Sequence, residues 1–300
     1  MKQLLSPKQV AHAIGVSESS LKRWVDQGAL PSERTAGGHR RLRVGDVLQF
    51  LRQGDYEIVR PELLGLPPGT AVGPRNQQRV VDTLVAALKE GDAELVRRLV
   101  FNAFLAGGNV AELSDRLFAP AMHEIGNCWE AGHVDVYQEH RACEVLAKVL
   151  YEMRMMLPPA SGPLALGGTP SGDHYRLATS MAELTLVEAG WRATSLGTSL
   201  PFYTLSRAIQ QHRPQVFWLS VSHLDDGQKF VLELAEWLAS VPSETRVVLG
   251  GRAVRSIPGV DDLGCVVCEN FVCLRNIAAT QWQSAREPAA DSLEPDHTTR

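Results

Sequence analysis

Cysteine is scarce here: five residues in a chain of 300. So few, and an odd number, do not make a disulfide framework, so burial has to hold the fold. Long apolar runs are missing as well, and none reaches the ~18 residues of a membrane span. The start, MKQLLSPKQVAHAIGVS, lacks the apolar core and cleavage site of a secretory signal. A cytoplasmic protein with no membrane partner is therefore expected. Aromatic residues make up only 6% of the chain, and neither sign of charge dominates, the net charge being −4. Hydrophobic content of 44% and charged content of 21% are those of an ordinary globular protein, long enough for two or three domains.

The small net charge hides an asymmetry. Residues 1–52 hold nine Lys or Arg against four acids, which makes them +5 and leaves −9 for the rest. A basic module on an acidic body is the layout of a nucleic-acid reader joined to a separate sensing part. The stretch SPKQVAHAIGVSESSLKRWVDQGAL predicts two helices with a tight turn. Ser6 caps the first, with Pro7 at its first position, and Val10, Ala13 and Ile14 form a buried stripe. Gly15 permits the turn, and Ser17 caps the second helix. Leu21, Trp24 and Val25 face inward there. Ser19, Ser20, Lys22 and Arg23 are left outside, where a recognition helix needs groups for bases and phosphates. Gly37-Gly38 then predicts a hairpin tip between basic arms carrying Arg34, His39, Arg40, Arg41 and Arg43, and Val44 to Leu51 reads as a closing helix.

Helix, turn, helix and a Gly-Gly-His-Arg-Arg wing resemble the winged helix-turn-helix of the MerR family of transcription regulators. The resemblance covers about the first fifth of the chain. It implies binding to double-stranded promoter DNA and self-association as a dimer or higher oligomer.

Residues 53–75 are rich in Pro and Gly without a sustained period and read as a linker. Residues 76–160 read as four helices joined by short Gly breaks, a helical bundle, with Pro120 expected to kink the third. Within it Trp129 is followed, after nine residues, by Glu139-His140. This W-x9-EH spacing resembles the light-sensing cobalamin regulators of the CarH and LitR type. In that family the bundle caps a cobalamin. The resemblance implies that Trp129 takes the space of the cofactor's adenosyl group and that Glu139 and His140 contact it. One departure stands out: the His that follows the Trp in the best-known members is Glu130 here, with His133 a turn further on. The histidine on which the family's bis-His light-state chemistry depends is thus missing at that position.

Residues 161–284 alternate strand and helix: PLALGGT, WRATSLG, QVFWLSVS, RVVLGG and GCVVC are the strands. This predicts a Rossmann-like, doubly wound α/β domain with a parallel sheet and ligands at the strand carboxyl edge. The fold class expected overall is multidomain: an α winged helix-turn-helix, a four-helix bundle, then the α/β domain. The loops resemble those of cobalamin-binding domains, which carry Gly-Asp-x-His-x-x-Gly after the first strand, Ser-x-Leu after the third and Gly-Gly after the fourth. Gly250-Gly251 matches the last, and Ser220 half of the second. The first motif, GDHYRLA, aligns in two registers. One makes His174 the cobalt ligand. The other, preferred because it keeps the helix length to Gly190, matches Gly172-Asp173 to the family's Gly-Asp and puts Tyr175 at the ligand position and Ala178 at the last Gly. A lower ligand should be an imidazole held by a carboxylate. A phenol, which ordinarily keeps its proton to about pH 10, is a poor substitute. Three readings stay open: adenosylcobalamin held without the usual ligand or by His174, another tetrapyrrole or small ligand, and no cofactor at all.

Cys265, Cys268 and Cys273 read as buried thiols rather than a metal site, because strand alternation parts the first two and no fourth ligand is near. Residues 285–300 read as a disordered tail. The expected function is a DNA-binding regulator, a repressor of carotenoid or light-response genes by resemblance, whose oligomerisation follows a cobalamin-type sensor. The alternatives are a cofactor-independent scaffold controlled by an antirepressor protein, and a corrinoid protein that carries methyl groups.

Overall fold

Ser6 opens the first helix as its side chain suggests: the hydroxyl takes the Gln9 amide N–H, and the Gln9 side chain bonds back to Ser6. The computed structural model describes residues 4–286 apart from 36, 55, 57, 67–76 and 258. A short strand β1 (Leu4–Leu5) precedes α1 (Pro7–Ala13) and α2 (Glu18–Asp26). Gly15, with φ +68°, makes the turn between the helices, and Ser17 caps α2 through the Ser20 N–H. Strands β2 (Glu33–Arg34) and β3 (Arg40–Arg43) form an antiparallel hairpin, and β1 pairs on the other edge of β3. Then α3 (Val44–Gly54) closes the region. Trp24 of α2, Phe50 of α3 and Tyr56 pack together with ring centroids 5.0–5.2 Å apart, Phe50 and Tyr56 stacked and Trp24 tilted against both, which fixes α2 against α3.

The stretch expected to be a linker begins as ordered structure. The Val59 and Arg60 N–H groups both bond to the Ala13 carbonyl, a 3₁₀ turn spans Pro61–Leu64, and Ile58, Pro61, Leu64 and Leu66 are buried. Proline content masked a few well-spaced apolar anchors. Residues 67–75 of the expected linker lie outside the described residues.

The helical middle consists of α4 (Gln77–Glu90), α5 (Ala93–Leu105), α6 (Val110–Leu113), α7 (Ala119–Glu130) and α8 (Val136–Met156). The break in the expected third helix is a π turn over Ser114–Phe118, just ahead of Pro120 at the start of α7. A proline cannot donate to the preceding turn, so that turn widens. Asp135 caps α8 with a capping box to Gln138.

The last part alternates as expected: β4 (Leu164–Gly168), α9 (Arg176–Glu188), β5 (Arg192–Ser195), α10 (Phe202–His212), β6 (Val216–Ser220), α11 (Gly227–Ser240), β7 (Arg246–Gly250), β8 (Val266–Cys268) and α12 (Phe271–Arg286). The five strands form a parallel sheet in the order β5-β4-β6-β7-β8, a Rossmann-like arrangement. One face packs with α9, α12 and the helical middle in a core that includes Trp191 and Trp218; the other packs with α10 and α11 around Phe217, Leu219 and Trp237. The expected tail begins inside α12, and residues 287–300 lie outside the described residues. Among the described residues no helix is long and apolar enough to cross a membrane.

Candidate functional site

On α2, Ser19, Lys22 and Arg23 are exposed and Ser20 is half-buried. The Ser19 and Ser20 hydroxyls lie 2.8 and 2.9 Å from the Ser17 hydroxyl, so part of their bonding capacity serves the helix cap. In the hairpin Arg34 lies directly opposite Arg40, and Glu33 opposite Arg41. Arg40 also reaches Asp26, at the end of α2, at 2.6 Å, and Arg43 pairs with Glu33. Two of the four hairpin arginines are thus held by carboxylates that aim them. Alternation about the buried Leu42 turns Arg41 and Arg43 to its opposite face. His39 is exposed beside the Gly38 tip.

Two ion pairs set the helical middle over the sheet. Glu144 of α8 meets Arg176 at the start of α9 at 3.3 Å, and Arg154 meets Glu183 at 3.7 Å, so the two helices run in the same direction. Since α9 starts at the carboxyl edge of the sheet, the opening turns of α8 project past that edge. Glu139 lies five residues before Glu144, an overhang of about 7.5 Å at ~1.5 Å per residue. Trp129, at the end of α7, and Glu139-His140 flank the turn that opens α8, on the overhanging side. Trp129 is 45% exposed, unlike a core tryptophan, and the His140 side chain is 74% exposed. Glu139 is partly engaged: it accepts from the Cys143 thiol at 3.2 Å and sits 3.5 Å from His140 Nε2. Burial and then that carboxylate push the Cys143 thiol up to about 12, so it stays protonated.

Below the overhang lies the point where strand order reverses. The loop after β4 leads to α9 on one face and the loop after β6 to α11 on the other, the place where ligands sit in such sheets. Asp173 is fully buried there, with Oδ1 accepting from the Tyr175 N–H at 2.9 Å and Oδ2 from the N–H groups of Ser222 (2.5 Å) and His223 (3.3 Å). Its carboxylate staples the two loops together. His174 and Tyr175 are exposed. Arg252 lies 5.1 Å above the Tyr175 ring and donates to the Ser222 carbonyl. Ser220 is buried at the end of β6. Gly251, at φ +113°, allows the chain to cross Val221 where a Cβ would collide with its carbonyl. Gly250 closes β7 beside it.

The β6 loop holds one further candidate, a residue past its Ser-x-Ser motif. His223, right after Ser220-Val221-Ser222, stands across the crevice from Tyr175 with ring centroids 6.4 Å apart and Nε2 3.0 Å from Asp225 Oδ1. The signal was present as His-x-Asp at the end of a parallel strand. Cys268 and Cys273 approach to 3.0 Å, and among the described residues no group of three or more His, Cys, Asp or Glu suits a metal ion. A cobalt already held in a macrocycle asks less, one axial donor and a covered face. Exposed imidazole and phenol groups in the crevice, under an exposed indole and imidazole, fit that demand.

Comparison with known proteins agrees with this layout. Residues 4–55 match the family described as helix-turn-helix domain, and residues 80–153 the family described as B12 binding domain. The HTH-type transcriptional repressor CarA of Myxococcus xanthus is 26% identical over 275 residues, covering 88% of this chain and 92% of that one. The repressor CarH of the same organism is 24% identical over 264 residues, covering 82% and 88%. The Methanosarcina barkeri monomethylamine corrinoid protein shares the fold, with a TM-score of 0.54 and 15% identity, over 68% of this chain and 99% of that one. The chain is thus CarA- and CarH-like in organisation, a helix-turn-helix domain followed by a B12 binding domain and a Rossmann-like parallel sheet.

Proposed function

We propose that the protein is a DNA-binding transcription repressor with a cobalamin-type sensor. The observation that carries the reading is the overhang of α8. It sets Trp129 and Glu139-His140 beyond the strand edge, above the crevice that holds His174 and Tyr175, in a chain whose first domain is a helix-turn-helix. The hairpin is read as a wing whose arginines contact phosphates beside α2, and α4 to α8 as a four-helix bundle that caps the cofactor. Adenosylcobalamin is the proposed form, and what it would supply when bound is a labile cobalt–carbon bond. Trp129 bounds the space on the upper face, and Glu139 and His140 offer polar contacts there. Asp173 keeps the lower loops in register, and Gly250-Gly251 keep the end of β7 and the first position after it free of side chains. Assembly into dimers or tetramers would strengthen DNA binding by engaging two heads at once. The presence of a DNA-binding domain and the repressor relatives favour this reading over a methyl-carrying corrinoid protein.

The test is an absorbance titration of the purified chain with adenosylcobalamin in the dark and after light, with gel filtration and DNA binding on the same samples. A retained corrinoid spectrum with a change in size and DNA affinity is expected. DNA binding that is identical with and without corrinoid would leave a cofactor-independent scaffold.

A further inference from the structure

We infer that His223, oriented by Asp225, is the lower axial ligand of the bound corrinoid cobalt, in place of the loop that follows β4. This rests on the cofactor reading above. Three facts lead to it. The carboxylate that would orient an imidazole in the β4 loop is engaged with backbone instead: Asp173 Oδ1 accepts one N–H and Oδ2 two, and the residue is fully buried. In the register that keeps the helix length, the ligand position is the phenol of Tyr175. Across the crevice, His223 has what is missing there, an imidazole with a carboxylate on its far nitrogen, Nε2 to Asp225 Oδ1 at 3.0 Å.

The ring is placed for the task. Its centroid is 6.4 Å from that of Tyr175, so it stands on the opposite lip of the same switch-point crevice. Its side chain is 47% exposed and thus open to a ligand. The peptide that leads into it is held at both its groups, by the Asp173 carboxylate on the His223 N–H and by Arg252 on the Ser222 carbonyl. In the neutral ring, an Nε2–H donated to Asp225 leaves Nδ1 as the free electron pair. A bare ion would find too few donors, whereas a corrin brings four nitrogens of its own and needs only this one from below. The histidine–carboxylate couple has moved from the first loop of the sheet to the third.

The experiment uses the full-length chain labelled with nitrogen-15 histidine, loaded with cobalamin, reduced to cobalt(II) and examined by electron paramagnetic resonance. A protein imidazole on cobalt turns the nitrogen triplet of unlabelled protein into a doublet. The doublet is expected in the wild type and in His174→Ala. It is expected to vanish in His223→Ala and in His223→Gln, the latter keeping a polar side chain in the same space. Asp225→Asn is expected to weaken corrinoid binding by ~10–100-fold. Thermal melts and DNA binding establish that each variant is folded. A doublet that survives in both His223 variants, or disappears in His174→Ala, overturns the assignment. So does a triplet that labelling leaves unchanged, which marks the cofactor's own base. A wild-type chain that retains no corrinoid overturns the sensor reading itself and this inference with it.

Discussion

Arg34 and Arg40 face each other across a two-stranded hairpin, an arrangement that costs energy unless an anion comes between them. Asp26 relieves part of that cost on Arg40, while Arg41 lies on the opposite face. Phosphate contacts are the natural use of such a hairpin. Replacing Arg40 and Arg41 together by Ala is expected to weaken DNA binding at all sequences and to lower the salt slope by ~1–2. Binding measured over a range of salt concentrations checks this, and unchanged affinity would remove the hairpin from the interface. A second residue answers to pH. Burial pushes the Glu183 carboxyl above its ordinary value, partly offset by the Ser195 N–H and by Arg154. The native state therefore holds that proton more tightly than the unfolded chain. The stability it confers is present below the ordinary Glu value, near ~4.3, and is lost as pH rises through the raised native one. Glu183→Gln keeps an acceptor for Ser195 and never ionises. Its unfolding free energy is expected to fall less with rising pH than that of the wild type, by under ~1 kcal/mol, since Arg154 remains half-exposed. Urea unfolding at acidic and neutral pH reads the difference.

Helices and strands were legible in the sequence where their signals are local. Ser6 and Ser17 cap the helices they precede, Gly190 ends α9, and the alternation of α9, α10 and α11 with apolar runs gave the parallel sheet. Joints between elements were not legible, because they depend on residues far apart in the chain. Arg52 of α3 is the clearest case. It reaches Glu188 of α9 at 3.2 Å and the Gly108 carbonyl at 2.7 Å, and lies 4.1 Å over the Phe104 ring of α5. Glu188 also accepts from the Val110 N–H at 2.7 Å. In the sequence Arg52 was one more cation in a basic segment. For the same reason, loop motifs located Asp173 and Tyr175 but not their partner His223, 48 to 50 positions away in a loop of another strand. Glu188→Leu would leave Arg52 without a carboxylate and the Val110 N–H without an acceptor. Arg52 and Glu188 are both mostly buried, with 19% and 14% of their side chains exposed. A loss of about 2–4 kcal/mol is expected, read as a shift of the chemical denaturation midpoint.

At the scale of the whole molecule, one helix spans the distance between the two functions. Helix α8 has 21 residues and is thus about 31 Å long. It begins beside Trp129, over the crevice, and ends at Met156, whose carbonyl lies so close to α3 that a Cβ on Gly45 would collide with it. The helix-turn-helix domain therefore rests on the far end of the element that overhangs the switch-point crevice, and Arg52 braces the same α3 against α5 and α9. A shift of α8 on corrinoid binding must be accommodated at that joint, and so must a change in the head when it meets DNA. Coupling of this kind is reciprocal: the factor by which corrinoid changes DNA affinity equals the factor by which DNA changes corrinoid affinity. Titrating corrinoid into the protein with and without a saturating DNA duplex is expected to give dissociation constants that differ by ~5–150-fold, the usual span of such couplings. In Arg52→Ala that ratio is expected to move toward one while each ligand still binds the folded variant by itself. If the ratio stays at its wild-type value in that variant, the coupling runs through assembly between chains and not through the brace on α3, and dilution below the assembly concentration would then abolish it.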